Sequence, residues 1–247
     1  MDKMLYISMS TAQQTMRAQA ANSNNLANLH TTGFRADFEQ FRSIPVIGEG
    51  VASRVYSVSE RVATNFDQGT LQSTGRELDI SVQGQGFIAV QAKDGSEAYT
   101  RAGDLRLSST GQLTTGTGLQ VLGEGGPISI PAAEKIEIGS DGTISIRPLG
   151  AESTGLAQLE RIKLVKPELN QLQKGADGLI RLSNGAIAPS DATVKVASGT
   201  LESSNVNAVG ALVNMISLQR QYEMQVKMMA TAQENSTSSA RLLQLGS

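Results

Sequence analysis

The 247-residue chain has no cysteine, no tryptophan and one histidine, His30. Without cysteine there is no disulfide framework, no thiolate metal site and no cysteine nucleophile. A single histidine excludes a multi-histidine zinc site and leaves little scope for a histidine-dependent triad. Charge is scarce as well: 21 Lys+Arg against 23 Asp+Glu give a formal net charge of −2, and charged residues make up 18%, below the roughly 25% of an ordinary domain. A nucleic-acid binder would carry a basic face that this balance does not supply. No apolar run approaches the roughly 18 residues of a membrane span. The opening Met1-Asp2-Lys3-Met4-Leu5-Tyr6-Ile7 has neither the basic start nor the long apolar stretch of a secretory signal.

What is present is unevenly distributed. All eight Met lie near the ends, at 1, 4, 9, 16, 215, 224, 228 and 229, whereas all six Pro fall between Pro45 and Pro189. Of the 25 Gly, only Gly33, Gly210 and Gly246 lie outside Ser43 to Ser204. Met forms helix well and fills irregular apolar gaps, while Gly and Pro break helices. The partition predicts helix, then a turn-rich interior, then helix.

The C-terminal segment alternates by three and four through Leu212, Met215, Gln219, Tyr222, Val226, Met229, Gln233, Ser236, Ala240 and Leu243. That is a heptad stripe of the coiled-coil kind, on a helix expected from about Asn207 to Leu245. The N-terminal segment keeps the same spacing through Leu5, Met9, Ala12, Met16, Gln19, Ser23 and Leu26, and stops near Thr31-Thr32-Gly33-Phe34, where Gly33 suits a left-handed helix end. Two readings stand for these stripes: a hairpin of helices that closes the fold within the chain, or faces meant for other subunits. The polar positions inside the stripes favour the second, because such residues weaken a two-helix core yet specify partners in an assembly.

The interior reads as β. Apolar residues alternate at Leu78–Val82, Phe87–Val90 and Leu105–Leu107, and Ile136, Ile138, Ile144 and Ile146 flank Gly139-Ser140-Asp141-Gly142 as a hairpin would. Further strands are expected at Ile162–Val165, Leu179–Leu182 and Thr193–Val196. The stretch from Pro45 to Gln68 shows neither period. The fold class expected is α+β: long N- and C-terminal helices pairing as a coiled-coil-like domain over 1–42 and 205–247, a linker over 43–70, and a central, mainly antiparallel β domain over 71–204.

Several motifs tempt and fail. Gly84-Gln85-Gly86-Phe87-Ile88-Ala89 fits the dinucleotide fingerprint, but that fingerprint needs a helix to follow, and here the sequence continues as strand. Asp141-Gly142 and Asp177-Gly178 are turn dipeptides without a calcium loop around them. Asp94, Glu97 and Asp104 could be imagined as the carboxylates of a secreted wall-acting enzyme, though solvated turn carboxylates are far commoner. His30 suits a helix end or the surface. No catalytic residue, metal site or cofactor is expected. A trimeric coiled-coil adhesin would need longer uninterrupted heptads.

Asn24-Asn25-Leu26-Ala27-Asn28 followed by Thr32-Gly33-Phe34-Arg35 resembles the N-terminal signature of the bacterial flagellar rod and hook axial proteins. The resemblance runs on through Met1-Asp2-Lys3-Met4-Leu5-Tyr6, Phe41-Arg42-Ser43-Ile44-Pro45-Val46, Gly75-Arg76-Glu77-Leu78-Asp79, Gly84-Gln85-Gly86-Phe87 and Ala98-Tyr99-Thr100-Arg101-Ala102-Gly103-Asp104. It ends with Ser204-Asn205-Val206-Asn207 and Leu212-Val213-Asn214-Met215-Ile216. Ala208 and Gly210 depart from it, where a Pro and an acidic residue would be expected.

The resemblance implies a structural subunit of the basal-body rod in the periplasm, most similar to members that build the proximal rod, with distal-rod members as the alternative. It implies export unfolded through the flagellar export apparatus, and assembly with copies of itself, with other rod subunits and with a rod-assembly factor. It implies no nucleic acid, small-molecule substrate or membrane span. The expected assembly residues are Leu5, Met9, Met16, Asn24, Asn25, Leu26, Ala27, Asn28, Gly33 and Phe34, then Leu212, Met215, Tyr222, Val226, Met229 and Leu243. Among them Leu26 and Phe34 would anchor packing, Gly33 would allow a sharp exit from the helix, and Asn24, Asn25 and Asn28 would bond backbone groups of neighbouring chains or of the helix end.

Overall fold

The computed structural model describes residues 3–45, 55–150 and 156–245. The chain forms two compact units, one of Met1–Asn28, Ala36–Asn65 and Val206–Ser247, the other of Leu29–Arg35 and Phe66–Asn205.

The first unit holds helix α1 (Lys3–Ala27), helix α2 (Ala208–Leu245) and strands β1 (Asp37–Pro45) and β2 (Val55–Thr64). The 38 residues of α2 make it about 57 Å long. Its start is set by Asn207, whose side-chain oxygen accepts the Gly210 N–H at 2.9 Å while its carbonyl accepts from Ala211. Gly210 thus falls in the capped first turn, where an unpaired N–H is satisfied and a helix-weakening residue costs least.

The two helices pack on each other. The less exposed positions of α2 are Ala208, Ala211, Met215, Leu218, Tyr222, Gln225, Met229 and Ala232, an unbroken three–four repeat. Four of the ten stripe positions are therefore displaced by one residue on the face that packs within the chain: 211, 218, 225 and 232 replace 212, 219, 226 and 233, while Met215, Tyr222 and Met229 keep their places. Alanine at 211 and 232 explains the shift. Small side chains let helix backbones approach, whereas the pattern drew attention to the larger Leu212 and Val226, which are exposed. On α1 the stripe position Ala12 is buried, and so are Ser8, Gln14 and Thr15, while the stripe positions Met9 and Met16 are exposed. The buried hydroxyl of Thr15 is satisfied locally, donating to the Thr11 carbonyl at 2.9 Å.

The segment expected as linker contains structure. Strands β1 and β2 pair antiparallel from Asp37↔Thr64 to Pro45↔Val55, with a register shift at Gln40/Phe41 that leaves Glu60 as an extra residue on β2. A bulge reverses which face each later residue takes, so no single period-2 pattern runs through β2. Positions 46–54, also inside that expected linker, lie outside the described residues.

The second unit is antiparallel throughout. Its largest sheet runs in the order Leu172–Lys174, Ile180–Leu182, Glu97–Thr100, Phe87–Gln91, Gln120–Val121, Leu113–Thr115, Leu105–Leu107, and Leu164–Val165 also pairs with Phe87–Gln91. A three-stranded sheet joins Ala133–Ile138, Thr143–Pro148 and Ala157–Arg161. Ile80–Gln83 pairs with Lys195–Ser198, and Leu71–Ser73 with Thr200–Glu202. Strand Phe87–Gln91 is central: alternation places Ile88 and Val90 in a large aliphatic cluster and Phe87 and Ala89 in a smaller one with Tyr99. A strand buried on both faces reads as a continuous apolar run, as Phe87-Ile88-Ala89-Val90 does.

The expected hairpin at 139–142 is present. The Gly142 N–H donates to the Gly139 carbonyl at 3.0 Å, the Gly139 N–H to the Thr143 carbonyl at 2.8 Å, and Gly142 takes φ 85°. Asp141 accepts from the Thr143 amide at 3.1 Å and hydroxyl at 2.7 Å, which holds its carboxyl below the ordinary range. The same turn recurs at Asp94-Gly95 and Asp177-Gly178. Gly84 and Gly86 connect two strands, so no helix opens on the fingerprint-like glycines.

Candidate assembly surface

Asn25 is buried and works within its own unit. Its amide donates to the Asp37 carbonyl at 2.6 Å and its oxygen accepts the Asp37 N–H at 2.8 Å, so a side chain of α1 pairs with β1 as a neighbouring strand would. Asn28 donates from its side chain to the Asn24 carbonyl at 2.9 Å, closing the helix end, and Asn22 donates to the Ala211 carbonyl of α2 at 2.7 Å. Removing the Asn25 amide strands two backbone groups at the start of β1. Asn25→Ala is expected to cost about 1–3 kcal/mol, read as a lower urea midpoint for the helical signal in circular dichroism.

The other expected assembly residues divide. Leu5, Leu26, Met215, Tyr222 and Met229 are half-buried within the unit; Met9, Met16, Asn24, Ala27, Leu212 and Val226 are exposed. The Leu243 side chain lies outside the described residues. Beyond Leu212, the exposed apolar residues at the start of α2 include Val209, Val213 and Ile216. The four stand at i, i+3, i+4 and i+7, which gathers them on one ridge of the helix, and on a helical projection this ridge lies opposite the Ala211–Met215–Leu218 face.

Gly33 and Phe34 belong to the second unit, and Gly33 does not end a helix, since α1 stops at Ala27. Gly33 takes φ 67°, and any Cβ there would collide with the backbone of Arg101 and Ala102. Its N–H donates to the Glu202 carbonyl at 2.8 Å. Next to it lies a cluster that sequence reading missed. Arg35, Arg101 and Glu202 are 2%, 3% and 0% exposed. Glu202 Oε1 accepts from Arg35 Nη2 at 2.6 Å and from the Gly69 N–H at 2.8 Å, and Oε2 from Arg101 Nη1 at 3.0 Å. Arg101 also donates to the carbonyls of Val82 and Gly84 and lies 5.2 Å from the Phe87 ring centroid. Burial pulls the Arg101 guanidinium below its usual value, with Glu202 opposing that shift and Arg35 adding to it. One signal pointed here: Thr32-Gly33-Phe34-Arg35, Gly84-Gln85-Gly86-Phe87 and Tyr99-Thr100-Arg101 all carried the family resemblance, as did Ser204-Asn205-Val206-Asn207 two residues past Glu202, and the fold brings the first three together with Glu202.

Two of the three carboxylates considered for hydrolysis, Asp94 and Glu97, are otherwise engaged. The Ser96 hydroxyl and amide hold the Asp94 carboxyl below the ordinary range, the wrong direction for a general acid, whose value must be raised. Glu97 pairs with Lys163 at 2.8 Å. Among the described residues no group of three or more His, Cys, Asp or Glu could hold a metal ion, and no helix is long and apolar enough to cross a membrane.

Three family profiles match along the chain: "Flagella basal body rod protein" over residues 5–35, "Flagellar hook protein FlgE/F/G D1 domain" over 81–146, and "Flagellar basal body rod FlgEFG protein C-terminal" over 197–242. The chain belongs to the flagellar basal-body rod protein family, a class of structural subunits and not of enzymes. Within it, the flagellar basal-body rod protein FlgF of Salmonella typhimurium is 40% identical over 251 residues, covering 99% of this chain and 100% of the relative, and FlgF of Escherichia coli K12 matches to the same extent. The rod protein FlgG of Bacillus subtilis is 33% identical over 85% of this chain and 88% of its own.

Proposed function

We propose that the chain is a FlgF-type subunit of the proximal rod, which polymerises through its terminal helices with copies of itself and with other rod subunits in the periplasm. In this reading α1 and α2 pair in coiled-coil fashion. The chain reaches its site unfolded, through the flagellar export apparatus and with a rod-assembly factor, without a cleaved signal. Identity of 40% over the full length of two FlgF proteins, against 33% over a shorter span of FlgG, supports the FlgF-type assignment over a distal-rod one.

The observation that carries polymerisation is the ridge of Val209, Leu212, Val213 and Ile216. Four apolar side chains at helical spacing stay exposed although the opposite face of α2 is already in use. Apolar surface gathered in this way marks a contact with another protein. Met9 and Met16 on α1 supply adaptable apolar surface of the same kind.

Truncation tests the role of the helices. Ending the chain before Gln233 removes the last two heptads and leaves residues 66–205 intact. The β signal in circular dichroism and its thermal transition are expected to persist while rod assembly and swimming are lost. A truncated chain that still built rods and supported motility would end the proposal.

A further inference from the structure

The segment Leu29–Arg35 is folded with the β unit, although the chain on either side of it, α1 up to Asn28 and β1 from Ala36, belongs to the helical unit. We propose that this segment is a latch, which closes on a seat in the β unit and opens as a piece while the core of that unit stays folded.

The seat reads the segment residue by residue. Gly33 presses on the Arg101 backbone where no side chain fits, and its N–H donates to the Glu202 carbonyl. The Phe34 carbonyl accepts from the Asn205 N–H at 3.3 Å, and the Phe34 ring lies 3.9 Å from Lys174 Nζ. That same Nζ donates to the Arg35 carbonyl at 2.7 Å, and the Arg35 guanidinium reaches Glu202.

What holds the latch is almost wholly polar. No residue of 29–35 belongs to either buried apolar cluster of the unit. The charge cluster sets two guanidinium groups against one carboxylate, and Arg35 Nε, Arg35 Nη1 and Arg101 Nε find no acceptor among the described residues. Buried donors without partners lower the margin of the closed state, and ion pairs specify geometry better than they stabilise it. A short segment fixed in this way opens below the free energy of global unfolding. Opening releases the seven residues 29–35, about 23 Å when extended, as a loop between α1 and β1.

Amide hydrogen exchange on the full-length chain tests this. The Gly33 amide reports the latch, and the Ala89 amide, which donates to the Lys163 carbonyl at 3.0 Å, reports the core. In the unaltered protein Gly33 is expected to exchange at least tenfold faster than Ala89. Lys174→Met removes the ammonium's contacts with the Phe34 ring and the Arg35 carbonyl; it is expected to speed Gly33 about tenfold more and to leave Ala89 within twofold. Equal rates at Gly33 and Ala89 in the unaltered protein would overturn the latch. So would a Lys174→Met chain in which Gly33 is unchanged or both amides accelerate alike.

Discussion

Replacing Glu202 with glutamine is expected to lower the stability of the β unit by about 3–5 kcal/mol, because removing one partner of a buried ion cluster leaves the remaining charge uncompensated. Here two guanidinium groups would be left, both almost fully buried. Glutamine keeps the shape and can still accept from the Gly69 N–H, so the loss reports charge and not packing. For a unit of this size each kcal/mol shifts the midpoint by about 2–4 °C, so a fall of roughly 10 °C is expected in the thermal transition followed by circular dichroism. Arg35→Met is expected to do less damage. Glu202 then retains Arg101 and the Gly69 N–H, and the cluster holds one cation per carboxylate. If both variants lost the same stability, or Glu202→Gln lost under 1 kcal/mol, the charge account of the cluster would be wrong.

The second large effect is on assembly and not on folding. Leu212→Asp together with Ile216→Asp places two charges on the exposed ridge of α2. Exposed substitutions usually move stability by less than about 0.5 kcal/mol, so the monomer's thermal transition is expected to stay in place. Desolvating a carboxylate in a packed contact costs several kcal/mol, enough to abolish polymerisation and with it spreading in soft agar when the variant replaces the native copy. Leu212→Met, which keeps the apolar surface, is expected to swim normally. A double aspartate variant that swam as well as Leu212→Met would remove the ridge from the rod.

Much of this architecture was legible before the structure. The separation of Met from Gly and Pro marked both helices, and the alternation at Phe87–Val90 and around Asp141-Gly142 located the central strand and a hairpin. The heptad was legible in period but not in phase. A stripe search weights bulk, and α2 is most buried at Ala211 and Ala232, whose value lies in lacking bulk, whereas the buried Ala12 of α1 was already in its stripe. Strand β2 was hidden for a different reason, since the bulge at Glu60 breaks the two-residue period in mid-strand. The Arg35–Arg101–Glu202 cluster could not be inferred from patterns at all. Its members are 66 to 167 positions apart (35, 101, 202), and each alone reads as a solvated surface charge. Only the family-like segments that contain or flank them hinted that the sites belong together.

The strands at the two ends of the β unit pair with each other: Leu71–Ser73 with Thr200–Glu202, and just inside them Ile80–Gln83 with Lys195–Ser198. The Asn205 side chain donates to the Asp67 carbonyl, and the Ser203 N–H to that of Thr70, so the entering and leaving chains are tied side by side. The unit is in this sense a cassette with its two leads at one socket. Whatever lies between Ser73 and Thr200 can lengthen, shrink or be exchanged without changing the distance between those leads. Subunits built on this plan can vary what lies between the leads one by one while every subunit keeps the same pair of leads.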